Sequence, residues 1–235
     1  SSHSMARMGM VGSGKSYAAK IELLRSRLAY PELQIIIVDP KQEYQHITEI
    51  LDGRQHLLNR NSYTFQAYNT VNISVEERGQ EENKERLVDL LQQIYSYTSQ
   101  NQRKTLVLID EARTLLNHET GRQTLNQFVL EARDTNTGIT LITQNASHFT
   151  HSREGREILD NMPGKIFMRH DRVPDSVTQY FNLSQQEKQK LYELKTGTDS
   201  QYSEALLKVN GKIDTKIQIQ ATPREKQLLQ GEDGQ

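Results

Sequence analysis

The stretch Gly9-Met10-Val11-Gly12-Ser13-Gly14-Lys15-Ser16 constrains this chain more than any other. Its spacing is that of a loop that wraps a phosphate group, G-x-x-x-x-G-K-[ST]. The glycines let the backbone come close enough for its N–H groups to face phosphate oxygens. Lys15 is placed to reach the outer phosphates, and the Ser16 hydroxyl to ligate Mg²⁺. A helix beginning there turns its positive end toward the anion. Gly9, Gly12, Ser13, Gly14, Lys15, Ser16 and the adjoining Tyr17 are therefore the expected nucleotide-binding residues. Such a loop joins a strand to a helix, which directs the chain toward an α/β fold.

Other runs fit that demand. Only Ala6-Arg7-Met8 is left to lead into the loop as a strand. Residues 17–30 have helical apolar spacing, and Pro31 stops them. Gln34-Ile35-Ile36-Ile37-Val38 and Thr105-Leu106-Val107-Leu108-Ile109 are continuous apolar runs, as expected of parallel strands covered on both faces. Strands are also expected at 137–144 and 164–169, and a short one at 63–68. Helices are expected at 43–51, 76–97, 120–134, 154–161, 175–181 and 184–194, with 96–102 a loop. Ser184 with Glu187 has the spacing of a capping box. Asn210-Gly211 marks a hairpin between 203–209 and 212–220. Thr222, Pro223 and Glu225 open a last helix. The alternation predicts a mostly parallel sheet flanked by helices, followed by a hairpin and a helix. Residues 1–5 read as a tag remnant, 6–230 as one domain with a reduced helical insertion at 76–104, and 231–235 as a polar tail.

Composition removes several alternatives. The chain has no cysteine, which excludes disulfides and thiolate chemistry. Its 29 basic and 30 acidic residues nearly cancel, so bulk charge offers no basic coat for nucleic acid. No apolar run is long enough to span a bilayer, and no signal peptide is visible, so a cytoplasmic location is expected. The seven histidines share no metal-ligand spacing and are read as structural or surface groups.

The second run ends in Asp110-Glu111. Beyond a phosphate loop, Asp110 is expected to hold Mg²⁺ and Glu111 to act on the attacking water as general base. Gln144 ends the following run and is expected to sense the γ-phosphate or orient that water. Arg133 and Arg169, at element ends expected near the site edge, lead Arg153 and Arg156 as candidates for an arginine supplied to a neighbouring subunit. Asp39 and Glu43, after the 34–38 run, are further candidates to touch metal-bound water or nucleotide.

These residues resemble a family. Val107 to Leu116, Glu131-Ala132-Arg133 with Thr137 to Asn145, Arg156 to Asn161 with Lys165 to His170, Phe181 to Ser184, and Ile36 to Tyr44 with its Asp39-Pro40-Lys41-Gln42-Glu43-Tyr44 end are similar, in order, to motifs of the VirB-four, TraC-like ATPases of type IV secretion and conjugation. These belong with the FtsK/HerA RecA-like motors. The resemblance implies a RecA-like P-loop NTPase that hydrolyses ATP with Mg²⁺ and assembles as a homo-oligomer, with a hexameric ring expected and ATP between subunits. It implies other secretion-system components as partners at the inner face of the membrane, and leaves DNA open as a partner. It supports the roles given above to Lys15, Ser16, Asp110, Glu111, Gln144, Arg133 and Arg169. A HerA/FtsK-like DNA translocase and an ATP-binding scaffold with little turnover remain the alternatives.

Overall fold

Runs of β-branched and aliphatic residues, each bounded by polar residues, set the sheet of this protein. A computed structural model describes residues 4–58, 64–75, 80–197, 200–209 and 213–230. In chain order the elements are β1 (Met5–Met8), α1 (Lys15–Ala29), β2 (Gln34–Val38), α2 (Gln45–Ile50), β3 (Arg54–Leu58), β4 (Thr70–Val75), α3 (Gln80–Gln100), β5 (Thr105–Ile109), α4 (Arg113–Leu116) and α5 (Glu119–Glu131). They continue with β6 (Thr137–Thr143), α6 (Ser147–Thr150), α7 (Arg153–Asn161), β7 (Gly164–Phe167), α8 (Asp175–Phe181), α9 (Gln185–Glu193), β8 (Ser203–Val209), β9 (Ile213–Ile219) and α10 (Pro223–Gln230).

One nine-stranded sheet has the order β3-β4-β2-β5-β6-β1-β7-β8-β9. All pairings from β3 to β7 are parallel, and β8 and β9 add antiparallel strands at one edge. Side-chain alternation divides the sheet into two covered faces. Ile36, Val38, Val107 and Ile109 face one core with Leu87, Leu91 and Ile94 of α3 and Phe128 of α5. Ile35, Ile37, Leu106 and Leu108 face the other with Leu23 and Leu24 of α1 and Ile47 of α2. This explains the unbroken apolar runs: every side chain of β2 and β5 is buried.

Several boundaries differ from expectation. The short strand looked for at 63–68 is absent from its described part, residues 64–68. The strands are β3 and β4 instead. In β4, Val71, Ile73 and Val75 alternate with Asn72 and Ser74, and β3 is a polar edge strand. Helix α3 runs on to Gln100, through most of the loop expected at 96–102. It is also a core helix, with Leu87, Leu90, Leu91 and Ile94 buried. Ser4 and Met5 are tied to the sheet. Met5 pairs with Thr140 and Gly164, and the buried Ser4 hydroxyl accepts from the Ile139 amide at 3.2 Å. Tyr95 and Tyr97 pack on Phe128 and Phe65 as core and rim rings. The Asn210-Gly211 turn and the 231–235 tail lie outside the described residues.

Beneath the phosphate loop lies a partly buried ion pair. Arg7 of β1 meets Glu22 of α1 at 2.6 Å, and Thr140 of β6 donates to the same carboxylate at 3.1 Å. It ties together the strand before the loop, the helix after it and the adjacent strand.

Candidate nucleotide-binding site

Parallel strands bring their C-terminal ends to one rim, and ligands of open α/β sheets bind there. β1 delivers Gly9 to Ser16 to that rim, β5 delivers Asp110 and Glu111, and β6 delivers Gln144. Geometry requires the loop's glycines, and Gly12 is left-handed at φ 76°. A Cβ on Gly9 would lie 2.8 Å from Ser13 Oγ and 2.9 Å from Met168 Cβ. Gly14 caps α1 at φ 91°, and a Cβ there would lie 2.7 Å from Ser203 Oγ.

Lys15 is 8% exposed, and its ammonium donates to the Met10 carbonyl of its own loop at 2.8 Å. Burial lowers its pKa from the ordinary lysine value, while the Asp110 and Glu111 charges oppose that shift. The Ser16 hydroxyl lies 3.3 Å from Asp110 Oδ2. The same oxygen accepts from the Tyr44 hydroxyl at 2.7 Å, and Oδ1 accepts from the Glu111 amide at 2.7 Å. Burial raises the Asp110 pKa against these hydrogen bonds. Burial and Asp110 together drive the Tyr44 hydroxyl well above its usual range, so it stays a proton donor.

Glu111 has the left-handed φ of 49°, unusual for a residue with a long side chain. Its Oε1 takes Lys41 Nζ at 2.5 Å and Gln144 Nε2 at 2.8 Å. Burial pushes the Glu111 carboxyl up, but the Lys41 and Gln144 hydrogen bonds and the Lys41 and Lys15 charges outweigh it and hold it below its ordinary value.

The rim thus gathers Lys15, Ser16, Asp110, Glu111 and Gln144. Arg169 joins by its backbone, since its carbonyl accepts from the Met10 amide at 2.8 Å. Arg133 does not join. It is exposed in the turn after α5, before β6 begins, at the opposite rim of the sheet from the loop. The expectation that it lies near the site edge is therefore corrected, because a residue leading into a parallel strand sits at the wrong end. Tyr17, half-buried in the first turn of α1, lies within the field of Glu225 on α10. Asp39 is also reassigned. It is fully buried, and its carboxylate accepts from the Glu43 and Tyr44 amides at 2.9 and 2.8 Å and from Asn72 at 3.2 Å. It shapes the loop after β2 and does not face the rim's open side.

Lys41 and Tyr44 are site residues that the reading of individual motifs passed over. Both stand in the Asp39 to Tyr44 segment, where attention fell on the acids alone. For a divalent cation, the Ser16 hydroxyl and Asp110 carboxylate are hard oxygen donors on one spot, which suits Mg²⁺.

A family model described as the central domain of helicase HerA matches residues 1–221. No curated protein matches in sequence. Among solved structures, VirB4 of Thermoanaerobacter pseudethanolicus superposes with a TM-score of 0.81 at 17% identity, over 97% of this chain and 92% of that one. The genome packaging NTPase B204 of Sulfolobus turreted icosahedral virus 2, in complex with AMP, gives 0.57 at 18% identity, over 94% and 98%. EssC (ATPases 2 and 3) of Geobacillus thermodenitrificans gives 0.57 at 10% identity, over 92% of this chain and 39% of that one.

Proposed function

Because the chain belongs to the family of the helicase HerA central domain, we propose that its rim is an ATP-hydrolysing site and that the domain powers assembly of, or substrate transfer through, a type IV secretion or conjugation apparatus. The coarser statement, a P-loop ATPase motor of the HerA/FtsK type, rests on the family and on the shared fold. The observation that carries the site is the meeting of Lys15, Ser16, Asp110, Glu111 and Gln144 at the ends of three neighbouring strands. The higher TM-score to VirB4 than to the packaging NTPase supports the secretion reading.

In this reading the domain spans 6–230, with Ser4 and Met5 joining its sheet. The loop amides from Gly9 to Ser16 cradle the phosphates, with Tyr17 beside them. Lys15 leaves the Met10 carbonyl for phosphate oxygen, an exchange that costs little because one acceptor replaces another. Ser16 and Asp110 are the residues that would hold Mg²⁺, and Tyr44 fixes the orientation of Asp110. Bound Mg²⁺ supplies charge neutralisation on the phosphates. Glu111 orients and deprotonates the attacking water, and Gln144 couples the carboxylate to the strand beside it. Arg169, against the loop, serves its own site or the adjoining edge of a homo-oligomer. Arg133, at the far rim, serves only the site of a neighbour. No helix among the described residues is long and apolar enough to cross a membrane.

A DNA translocase is the second reading, favoured by the family's description as a helicase domain. Arg103 and Lys104, the strand-entry basic pair, do not form an open basic track. Arg103 bonds Asn69 at 2.7 Å, and Lys104 lies 4.1 Å over the Tyr30 ring. ATPase rate measured across protein concentration, with and without DNA, separates the two. Activity that rises with concentration and ignores DNA supports the secretion motor. DNA stimulation supports the translocase.

A further inference from the structure

Glu111 is held from both sides. In the sheet order β2-β5-β6, Gln144 reaches it from the end of β6, and Lys41 reaches it from the loop after β2. That loop is built to hold its shape. Pro40 restricts one backbone angle, Gln42 is left-handed at φ 59°, and the buried Asp39 carboxylate gathers the amides of Glu43 and Tyr44. Lys41 is the long side chain that this frame extends toward the rim. The Glu111 backbone is left-handed at φ 49°, and its carboxylate hangs on three further rotatable bonds that the backbone does not set. Its direction therefore comes from the two groups that grip Oε1.

We propose that Lys41 is a positioning residue for hydrolysis: with Gln144 it fixes the Glu111 carboxylate so that the free oxygen faces the attacking water. The inference rests on the reading of Glu111 as the base. An ammonium on a base also makes it a weaker base. Phosphoryl transfer through a loose transition state asks for an oriented water more than for a strongly basic carboxylate. A fixed direction therefore outweighs the basicity lost. The pair is half open to solvent on the lysine side (50% against 18% for Glu111), so it adds little to stability and its loss leaves the fold intact.

The test measures turnover, KM and binding of a fluorescent ATP analogue for Lys41→Met, Lys41→Arg, Glu111→Gln and the Lys41→Met/Glu111→Gln double variant. Lys41→Met lowers kcat about 10-fold, with KM and analogue binding unchanged within about 2-fold. Lys41→Arg, which keeps a cation of similar reach, restores kcat to within about 3-fold. In the Glu111→Gln background, Lys41→Met causes no further loss, because both changes act through one carboxylate. An unchanged kcat in Lys41→Met, a rise in KM alone, or additive losses in the double variant would each overturn the proposal. Full turnover in Glu111→Gln overturns the prior assignment of the base instead, so the two failures are distinguishable.

Discussion

The two rims of this sheet use polar residues in opposite ways. At the N-terminal rim they are consumed in closing the chain. The buried Gln34 donates to the Tyr68 carbonyl and the Tyr97 hydroxyl at 2.9 and 3.1 Å, and accepts from Thr105 at 3.2 Å. Arg27 bonds the carbonyls of Pro31 and Asn69 and the Thr70 hydroxyl. At the C-terminal rim, polar groups are held from behind and offered forward. Tyr44 supports Asp110, and Lys41 and Gln144 support Glu111. Burial and neighbouring charges there displace Lys15, Asp110 and Glu111 from their ordinary pKa values in different directions. Satisfied polar groups stabilise a fold, whereas displaced ones with an open side are poised for chemistry.

The largest expected effect is at the loop. Lys15→Ala removes the one cation buried in it and loses nucleotide binding and turnover together, by about 10²–10³-fold, the worth of a single preorganised donor. Equilibrium binding of an ATP analogue checks this, with circular dichroism to confirm folding. Binding within 10-fold of the parent would show that the rim is not a phosphate site. Next is Glu111→Gln, which keeps binding but lowers turnover by about 10²-fold, near the low end for a general base because the transition state is loose. Retained turnover there removes the chemical half of the comparison.

How much of this was legible depends on whether a residue's role is local. The loop, the paired carboxylates and Gln144 could be read from residue type and position at strand ends. The β2 and β5 runs were legible because a strand covered on both faces is apolar throughout. β3 was not: an edge strand that opens Arg54-Gln55-His56 and has only Leu57-Leu58 behind them carries a weak apolar signal without alternation. β4 had a period-two pattern, but a neighbouring aromatic run drew the strand assignment to 63–68. Lys41 and Tyr44 were hidden for another reason. Their partners lie 70 and 66 residues away, and only the β2–β5 pairing brings them together. The misplacement of Arg133 has the same origin: a position at an element end is ambiguous until one knows which rim that end occupies.

The opposite rim predicts a different kind of loss. Gln34→Ala strands the half-buried Tyr68 carbonyl and Tyr97 hydroxyl, and leaves the Thr105 hydroxyl only its bond to the Arg103 carbonyl at 3.0 Å. This costs about 2 kcal/mol, within the range of about 1–3 kcal/mol for buried unpaired groups. For a chain of this size that lowers Tm by roughly 4–8 °C. Turnover per folded molecule, measured well below the new Tm, stays at the parent value. A fall in turnover at full folding would mean that the rims are coupled and the division of labour is false.

The smallest expected effect is the sharpest test of the division. Arg133 is exposed and belongs to the rim where polar groups close loops. On that ground Arg133→Ala changes stability by no more than about 0.5 kcal/mol, as exposed sites generally do. Turnover stays within about 2-fold at low protein concentration, where each subunit works alone. Arg169→Ala, whose carbonyl accepts from the loop's Met10 amide, is the matched comparison, and on the proposed role of its guanidinium it lowers turnover by about 10-fold or more. Concentration supplies the deciding axis. If Arg133→Ala still matches the parent where the parent's rate has risen with assembly, the N-terminal rim is structural in the oligomer as well. If the variant's rate fails to rise, the far rim of one subunit completes the site of the next, and the contrast between the rims holds only within a single chain.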